Sequence, residues 1–264
     1  GRLGRTHPLI RTQYDLEEVD DQVGMFPAER RQQMRGDHPR LQGPRPGARY
    51  VLTLDVGGES FAADGGAATF PGADAAADDA HDHTALTIFE LDRGAADGLS
   101  GPIYRVVDRR EWIATPHTLL YAAVLDLTRT VWNAYRLVVD ATGLGAGLVS
   151  FLRRALGDER IVPVVFSATR KSELGWAFLA LCDTGRFKDH APDGSAEQTL
   201  FWRQVEAAEG EILPGPGRRL RWEVRDRALH DDLLVSAALI AALDESAPGA
   251  YAQSALIDAG DVLA

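Results

Sequence analysis

Four aspartates stand out by what surrounds them. Asp55 closes the apolar run in YVLTLDVGG, Asp140 closes the one in RLVVDATGLGAG, and Asp231 with Asp232 opens the apolar stretch of ALHDDLLVSAALIAAL. A carboxylate at the end of a buried strand is costly unless something pairs with it. Three or four carboxylates brought together repel one another and hold raised pKa values unless cations neutralise them. Mg²⁺ and Mn²⁺ are hard, prefer oxygen ligands and keep open water positions. Two such ions ~3.5–4 Å apart can activate water and stabilise the leaving oxygen in phosphodiester hydrolysis. Each site also has an ordinary reading. A lone Asp after a strand is usually a turn or cap residue, and Asp140 before ATG could cap the next turn. Asp231 and Asp232 could be an acidic helix start favoured by the helix dipole. Adjacent helical residues point ~100° apart, so only one of that pair is expected to face a sheet. The metal reading rests on all three places falling where one fold would bring them together.

The elements that would do so can be read from periodicity. Tyr50–Val56 is a buried strand, followed by the Gly-, Ala- and Asp-rich stretch 61–83, expected to be a long surface loop. Thr84–Leu91 and Ile103–Trp112 are two further strands joined by GAADGLSG, so the first three strands make an antiparallel meander. Thr115-Pro116 starts a helix, Thr as cap and Pro in the first turn, running to about Asn133. Strand Arg136–Asp140, helix Gly147–Leu156, strand Ile161–Phe166 and helix Lys171–Cys182 follow as β-α-β-α, which implies parallel neighbours. Ala196–Ala208 is helical, Glu211–Val224 is two short strands around PGPG, and Leu229–Asp244 is a closing helix. The fold class is therefore α/β, a mixed sheet with helices on both faces. If the first strand is central, Asp55 and Asp140 end parallel neighbours, roughly 5 Å apart in strand spacing. Open sheets bind ligands at such an edge, and the closing helix can deliver Asp231 or Asp232 to it.

Composition sets bounds. A chain of 264 residues with 45% hydrophobic content supports one large domain or a domain with an appendage. No apolar run approaches the ~18 residues of a membrane span, and the N-terminus has no signal-peptide pattern. The missing initiator Met fits a part of a longer chain. The single cysteine, Cys182, excludes an internal disulfide and reads as core. A net charge of −11 counts against a general nucleic-acid binder, but a local basic strip can exist on an acidic protein. Residues 1–48, with FPAERRQQMRG as a helix, are expected to form an arm packed outside a domain spanning 49–246, and 247–264 a tail.

Other candidates are weaker. Arg170, Lys171, Arg186 and Lys188 could line a path for DNA, and Arg218, Arg219 and Arg221 could contact phosphate from a hairpin; the plain alternative is solvated helix ends and a solvated turn. Trp176, Trp202 and Trp222 read as core rather than base-stacking platforms. His230 could orient a ligand, but reads more simply as a cap or surface residue. His81 and His83 sit in the acidic loop and could bind metal adventitiously.

The layout resembles the RNase H-like nucleases, and more narrowly the nuclease domain of the large terminase subunit of tailed bacteriophages. HPLIRTQYDLEE, MFPAERRQQMRGDHP, YVLTLDVGGE, VVDATGLGAG, RKSELGWAFLALCDTGRFK and HDDLLVSAALIAA carry the resemblance, which covers most of the chain; HDDLLVSAAL is the most specific and LDVGG alone is weak. The resemblance implies that Asp55, Asp140 and Asp231 or Asp232 bind Mg²⁺ or Mn²⁺, two ions in all. Asp82 matches a place where the family often has a further acidic residue. The family cuts double-stranded concatemeric DNA at the start and end of packaging, in the cytoplasm of the infected bacterium. Its implied partners are an ATPase motor domain, the small terminase and the portal. This chain has no GxxxxGK[ST], so the ATPase motif is absent from it. Two other classes fit parts of the pattern: an actin- or sugar-kinase-type nucleotide-binding domain, gripping phosphate with VVDATGLGAG, and a non-catalytic packaging module. A junction-resolvase-like nuclease is a nearer variant.

Overall fold

The computed structural model describes residues 24–57, 83–93, 101–215, 218–226 and 228–245. In chain order, helix α1 (Ala28–Met34) precedes strands β1 (Tyr50–Asp55), β2 (His83–Asp92) and β3 (Ile103–Ile113). Helix α2 (His117–Asp126) runs into a π-helical turn (Leu127–Val131), and β4 (Arg136–Asp140), α3 (Leu144–Leu156), β5 (Ile161–Val164) and α4 (Ala168–Asp183) follow. Strand β6 (Phe187–Lys188), α5 (Ala196–Ala207), β7 (Ala208–Ile212), β8 (Leu220–Val224), α6 (Asp232–Ala238) and α7 (Ile240–Glu245) complete it.

Six strands form one mixed sheet in the order β5-β4-β1-β2-β3-β6, and β7 pairs with β8 in a separate ribbon. The meander is present: β1 runs antiparallel to β2, and β2 to β3. On its other side β1 runs parallel to β4, and β4 to β5. The central place of β1 follows from its composition, since all six of its residues are buried. Among the described residues there is one such sheet, not the pair of duplicated halves of an actin- or sugar-kinase-type domain.

Strand alternation divides the core in two. Tyr50, Leu52 and Leu54 of β1, Leu86 and Ile88 of β2, and Leu137 and Val139 of β4 face a core closed by α2 and α3 through Val124, Leu148 and Leu152. Val51, Ala85, Phe89 and Val138 face the other core, closed by Phe178 of α4, Phe201 of α5, Leu234 of α6 and Ile240 of α7. Helices thus cover both faces. Met25, Phe26 and Met34, from the segment expected as an outer arm, are buried in that second core.

Several local expectations change. Thr115 does not cap α2: its hydroxyl donates to Ile113 O, 3.3 Å, and Pro116 holds the cap position. The closing helix is two pieces, α6 and α7, broken at Leu239. Helix α3 begins at Leu144 rather than Gly147, and α4 at Ala168, where the Ser167 hydroxyl accepts from Arg170 N at 3.1 Å. Strand β6 has no counterpart in the sequence pattern; at two residues it carries no period to read. The expected loop over 61–83 (apart from His83), the tail 247–264 and most of GAADGLSG lie outside the described residues. Cys182 is buried core, as expected. Among the described residues, no helix is long and apolar enough to cross a membrane.

Candidate metal centre

The last register pair between β1 and β4 is Leu54 with Val139. Asp55 and Asp140 are each one residue further on, side by side at the same sheet edge. Their parity matters as much as their register. Asp55 shares the face of Val51, and Asp140 the face of Val138, which is the face that α6 covers. Helix α6 is fixed there by Ser236, whose hydroxyl is 2.7 Å from the Thr87 hydroxyl of β2. Its entry turn is fixed by Gln204 of α5, which donates to Leu229 O at 3.1 Å and accepts from Leu234 N at 2.9 Å. Asp231 takes the cap position and Asp232 the first helical residue.

The carboxylates therefore lie near enough at this edge to act on one another's charge. Burial raises the Asp55 carboxyl well above the usual carboxylate range, and the nearby charges of Asp232, Asp140 and Asp231 raise it further. Asp140 is also raised by burial, although its Oδ1 accepts from Thr142 N at 2.8 Å. Burial, with the Asp231 charge, pushes Asp232 up to about 7. Both members of the pair act on Asp55 through their charge, Asp232 the more strongly. They differ in surroundings. Asp231 is a third exposed and stands 3.6 Å from the Lys171 ammonium, whereas Asp232 Oδ2 is buried with no hydrogen-bond partner.

Lys171 opposes the repulsion, acting on both Asp55 and Asp140. Trp222 holds it in place: the Lys171 ammonium lies 5.1 Å from the ring centroid, and the indole N–H donates to Lys171 O at 2.9 Å. The backbone can come this close because residue 175 is glycine, where a Cβ would meet the Trp222 ring.

A second group lines the site beside Asp232. His83 opens β2, and its Nδ1 is 3.1 Å from Glu111 Oε1 of β3. Its ring stacks on His230, centroids 4.5 Å apart and 22° from parallel. His83 and Glu111 both act on the Asp232 charge. His83 is thus a strand residue at the site rather than a loop residue, and His230 is neither a cap nor a lone surface residue. Glu111 was missed, and its strand alone offered no cue. It faces α6 only because β3 carries an extra residue at Val107, where Ile88 pairs with Asp108 but Phe89 with Val106.

The other candidates separate. Arg170 pairs with Glu173 at 3.2 Å on the first turns of α4, next to Lys171. The ribbon lies alongside: Leu220 N donates to the Ser172 hydroxyl at 2.9 Å, and Arg218 O accepts from Trp176 Nε1 at 3.3 Å, which puts Arg218 and Arg219 near α4. Arg221 is paired with Glu211. Arg186 and Lys188 are not at the site. Helix α4 is 16 residues long, so it spans about 24 Å. Beyond its far end Arg186 pairs with Asp244, and Lys188 donates to Gln33 O at 2.6 Å. Trp222 is buried, and Trp176 and Trp202 pack against the core, as expected. Asp82 and His81 lie outside the described residues.

The donor set fits a divalent cation. It is made of hard carboxylate oxygens, one of them buried without a partner, on groups that repel one another unless neutralised. Among the described residues, no group of three or more His, Cys, Asp or Glu side chains is already gathered as a metal-holding cluster.

No protein-family model matches the sequence, and no curated protein matches it. Solved structures do. The large terminase nuclease from thermophilic phage G20c with bound magnesium superposes with TM-score 0.56 at 16% identity, over 83% of this chain and 97% of that one. The same nuclease with bound cobalt gives TM-score 0.55 at 15% identity, over 83% and 97%. A mutant nuclease domain of the large terminase subunit of bacterial virus Sf6, with manganese, gives TM-score 0.50 at 11% identity, over 83% and 99%. The six-stranded mixed sheet and the helices on its two faces are the RNase H-like fold of the phage large terminase nucleases.

Proposed function

We propose that this chain is a metal-dependent endonuclease that cuts double-stranded viral DNA concatemers during genome packaging. The observation that carries the reading is the convergence of Asp55, Asp140, Asp231 and Asp232 at one sheet edge. The metals bound in the terminase nucleases of like fold support it. Asp55 and Asp140 would hold Mg²⁺ or Mn²⁺, with Asp231 or Asp232 completing a site for two ions. Bound there, the ions would supply Lewis acidity toward a phosphodiester and a nucleophile at neutral pH. The chain's own residues do the rest. Thr142 N orients the Asp140 carboxylate, Lys171 places a cation beside it, and the acidic edge leaves the phosphate to approach from the α4 side. There Arg170, Lys171, Arg218 and Arg219 form the basic strip that an otherwise acidic surface needs to hold DNA.

In this reading residues 49–246 are the body of the nuclease domain, the segment before them sends Met25, Phe26 and Met34 into its core, and 247–264 is a tail. The ATPase motor domain, small terminase and portal are its partners, and the host cytoplasm its place of action. The test is cleavage of supercoiled plasmid with Mn²⁺, Mg²⁺ or EDTA, with Asp55→Asn and Asp140→Asn beside the parent. Metal-dependent nicking and linearisation, lost in both variants, is the expected result. Cleavage that survives both places the active site elsewhere. A folded parent that neither cuts DNA nor binds metal calorimetrically supports the non-catalytic packaging module.

A further inference from the structure

The structure assigns His83 and Glu111 the role of positioning residues for the Asp231–Asp232 pair, acting through the ring of His230. The inference rests on the nuclease reading above. Its starting point is the backbone at His230, where φ is +53°. A non-glycine residue in the left-handed region is unfavourable and persists only where its surroundings hold it. On one side the turn is held by Gln204, through Leu229 O and Leu234 N. From the other side the only ring against His230 among the described residues is that of His83. The stack is close to parallel, so it fixes the tilt of the His230 ring and with it the strained residue directly before Asp231.

Glu111 fixes His83 in turn. Its carboxylate meets His83 Nδ1 at 3.1 Å, and both side chains are mostly buried, at 18% and 17% exposure. An imidazole held at Nδ1 by a carboxylate cannot swing about its χ2 axis without breaking that contact. The chain of contacts runs Glu111 to His83 to His230 to Asp231–Asp232. It ties the β2–β3 side of the sheet to the helix that supplies the last carboxylates. The bulge at Val107 is what lets it form, because it turns Glu111 toward α6. Without this tie, the turn keeps Gln204 on the α5 side and the Lys171–Asp231 pair on the α4 side, and nothing from the β2–β3 side fixes the residue before Asp231.

The experiment compares the parent with His83→Ala, His83→Phe and His230→Gly, measuring kcat and KM on plasmid and Mn²⁺ affinity by calorimetry. His83→Ala is expected to lower kcat and Mn²⁺ affinity by about 10–100-fold, the usual cost of losing a supporting contact to a metal ligand, with KM for DNA unchanged. His83→Phe keeps the stack and is expected to recover part of the loss. His230→Gly relieves the positive φ, so it stays folded even if His83→Ala does not, and is expected to lose kcat like His83→Ala. Parent-level kcat and Mn²⁺ affinity in His83→Ala or His230→Gly, in a parent that cuts and binds, overturn the inference and leave the nuclease reading standing. So does a His83→Phe no better than His83→Ala. A folded parent that neither binds Mn²⁺ nor cuts overturns both.

Discussion

At the scale of single residues, the site works against the fold. The folded protein holds Asp55 and Asp232 above the ordinary carboxylate value of 3.8, Asp232 at about 7. A raised carboxyl contributes stability that is fully present below its unfolded value and is lost as pH rises through its folded value. The metal-free protein is therefore expected to gain stability as pH falls from 8 toward 6.5, the reverse of ordinary acid loss. Below 6.5 the buried His38, held down by burial, begins to oppose the trend. Melting curves in EDTA at stepped pH check this; a Tm that falls steadily from pH 8 contradicts it. The same argument gives Asp55→Asn two effects of opposite sign. It removes a carboxyl whose ionised form is disfavoured by burial and by three neighbouring carboxylates, so Tm at pH 8 without metal should rise, by roughly 2–4 °C for each kcal/mol relieved. It should also abolish metal-dependent cleavage. A variant that is both inactive and less stable would mean that Asp55 is a structural acceptor. These carboxylates were legible in the sequence because a charge at the end of an apolar strand is conspicuous. Glu111 was not, because its orientation depends on one extra residue four positions earlier.

At the scale of elements, the β4–α3 joint decides where Asp140 sits. A Cβ at Gly145 would run into the Asp140 carbonyl, so glycine lets the first turn of α3 close directly over the strand end. Gly143, at φ +55°, makes the turn that precedes it. Gly145→Ala should push α3 and Asp140 apart, cost about 1–3 kcal/mol as overpacking does, and lower cleavage more than Tm alone accounts for. Circular dichroism melting beside plasmid cleavage, each normalised to folded protein, separates the two effects; a fall in Tm with unchanged cleavage would mean that Asp140 does not move. The long elements were readable because β1 and β4 are apolar runs of strand length bounded by turn residues, and α4 is an apolar-rich run of helix length. The break between α6 and α7 was not, since the stretch is apolar throughout and no periodicity marks Leu239. Nor was β6, which owes its existence to pairing: Tyr104 with Phe187 and Arg105 with Lys188.

At the scale of the whole molecule, one sheet separates two cores, and the carboxylate edge belongs to the core that closes with α4, α5, α6 and α7. That core reaches back to the start of the described chain. Phe26 is 1% exposed and meets Phe178 of α4 edge-on, with centroids 6.1 Å apart. Met25 N donates to Ala208 O at 3.0 Å, and Arg30 pairs with Asp183 at the end of α4. Further along, Gly36 N donates to Asp189 O at 2.8 Å and Asp189 N to Met34 O at 2.7 Å. The Asp189 side chain itself is held by Arg109, Gln198 and Trp202 at 2.7, 3.0 and 2.8 Å. The composition of the opening residues, rich in charge and broken by QGPRPG, reads as an outer arm; only Phe26 and Met34, too few to set a period, signal otherwise. Phe26→Ala should therefore cost about 3–5 kcal/mol, the range for a buried aromatic truncated in a packed core. A chain beginning at residue 49 should lose more, because it strips Met25, Phe26 and Met34 from the core at once and takes Arg30 from Asp183 and Arg40 from the buried Asp108. Neither change touches the carboxylates, so cleavage per folded molecule by Phe26→Ala at low temperature should match the parent. Urea titration of the three proteins measures the cost, and equal midpoints for the parent and the chain starting at 49 would return residues 24–48 to the role of a dispensable arm.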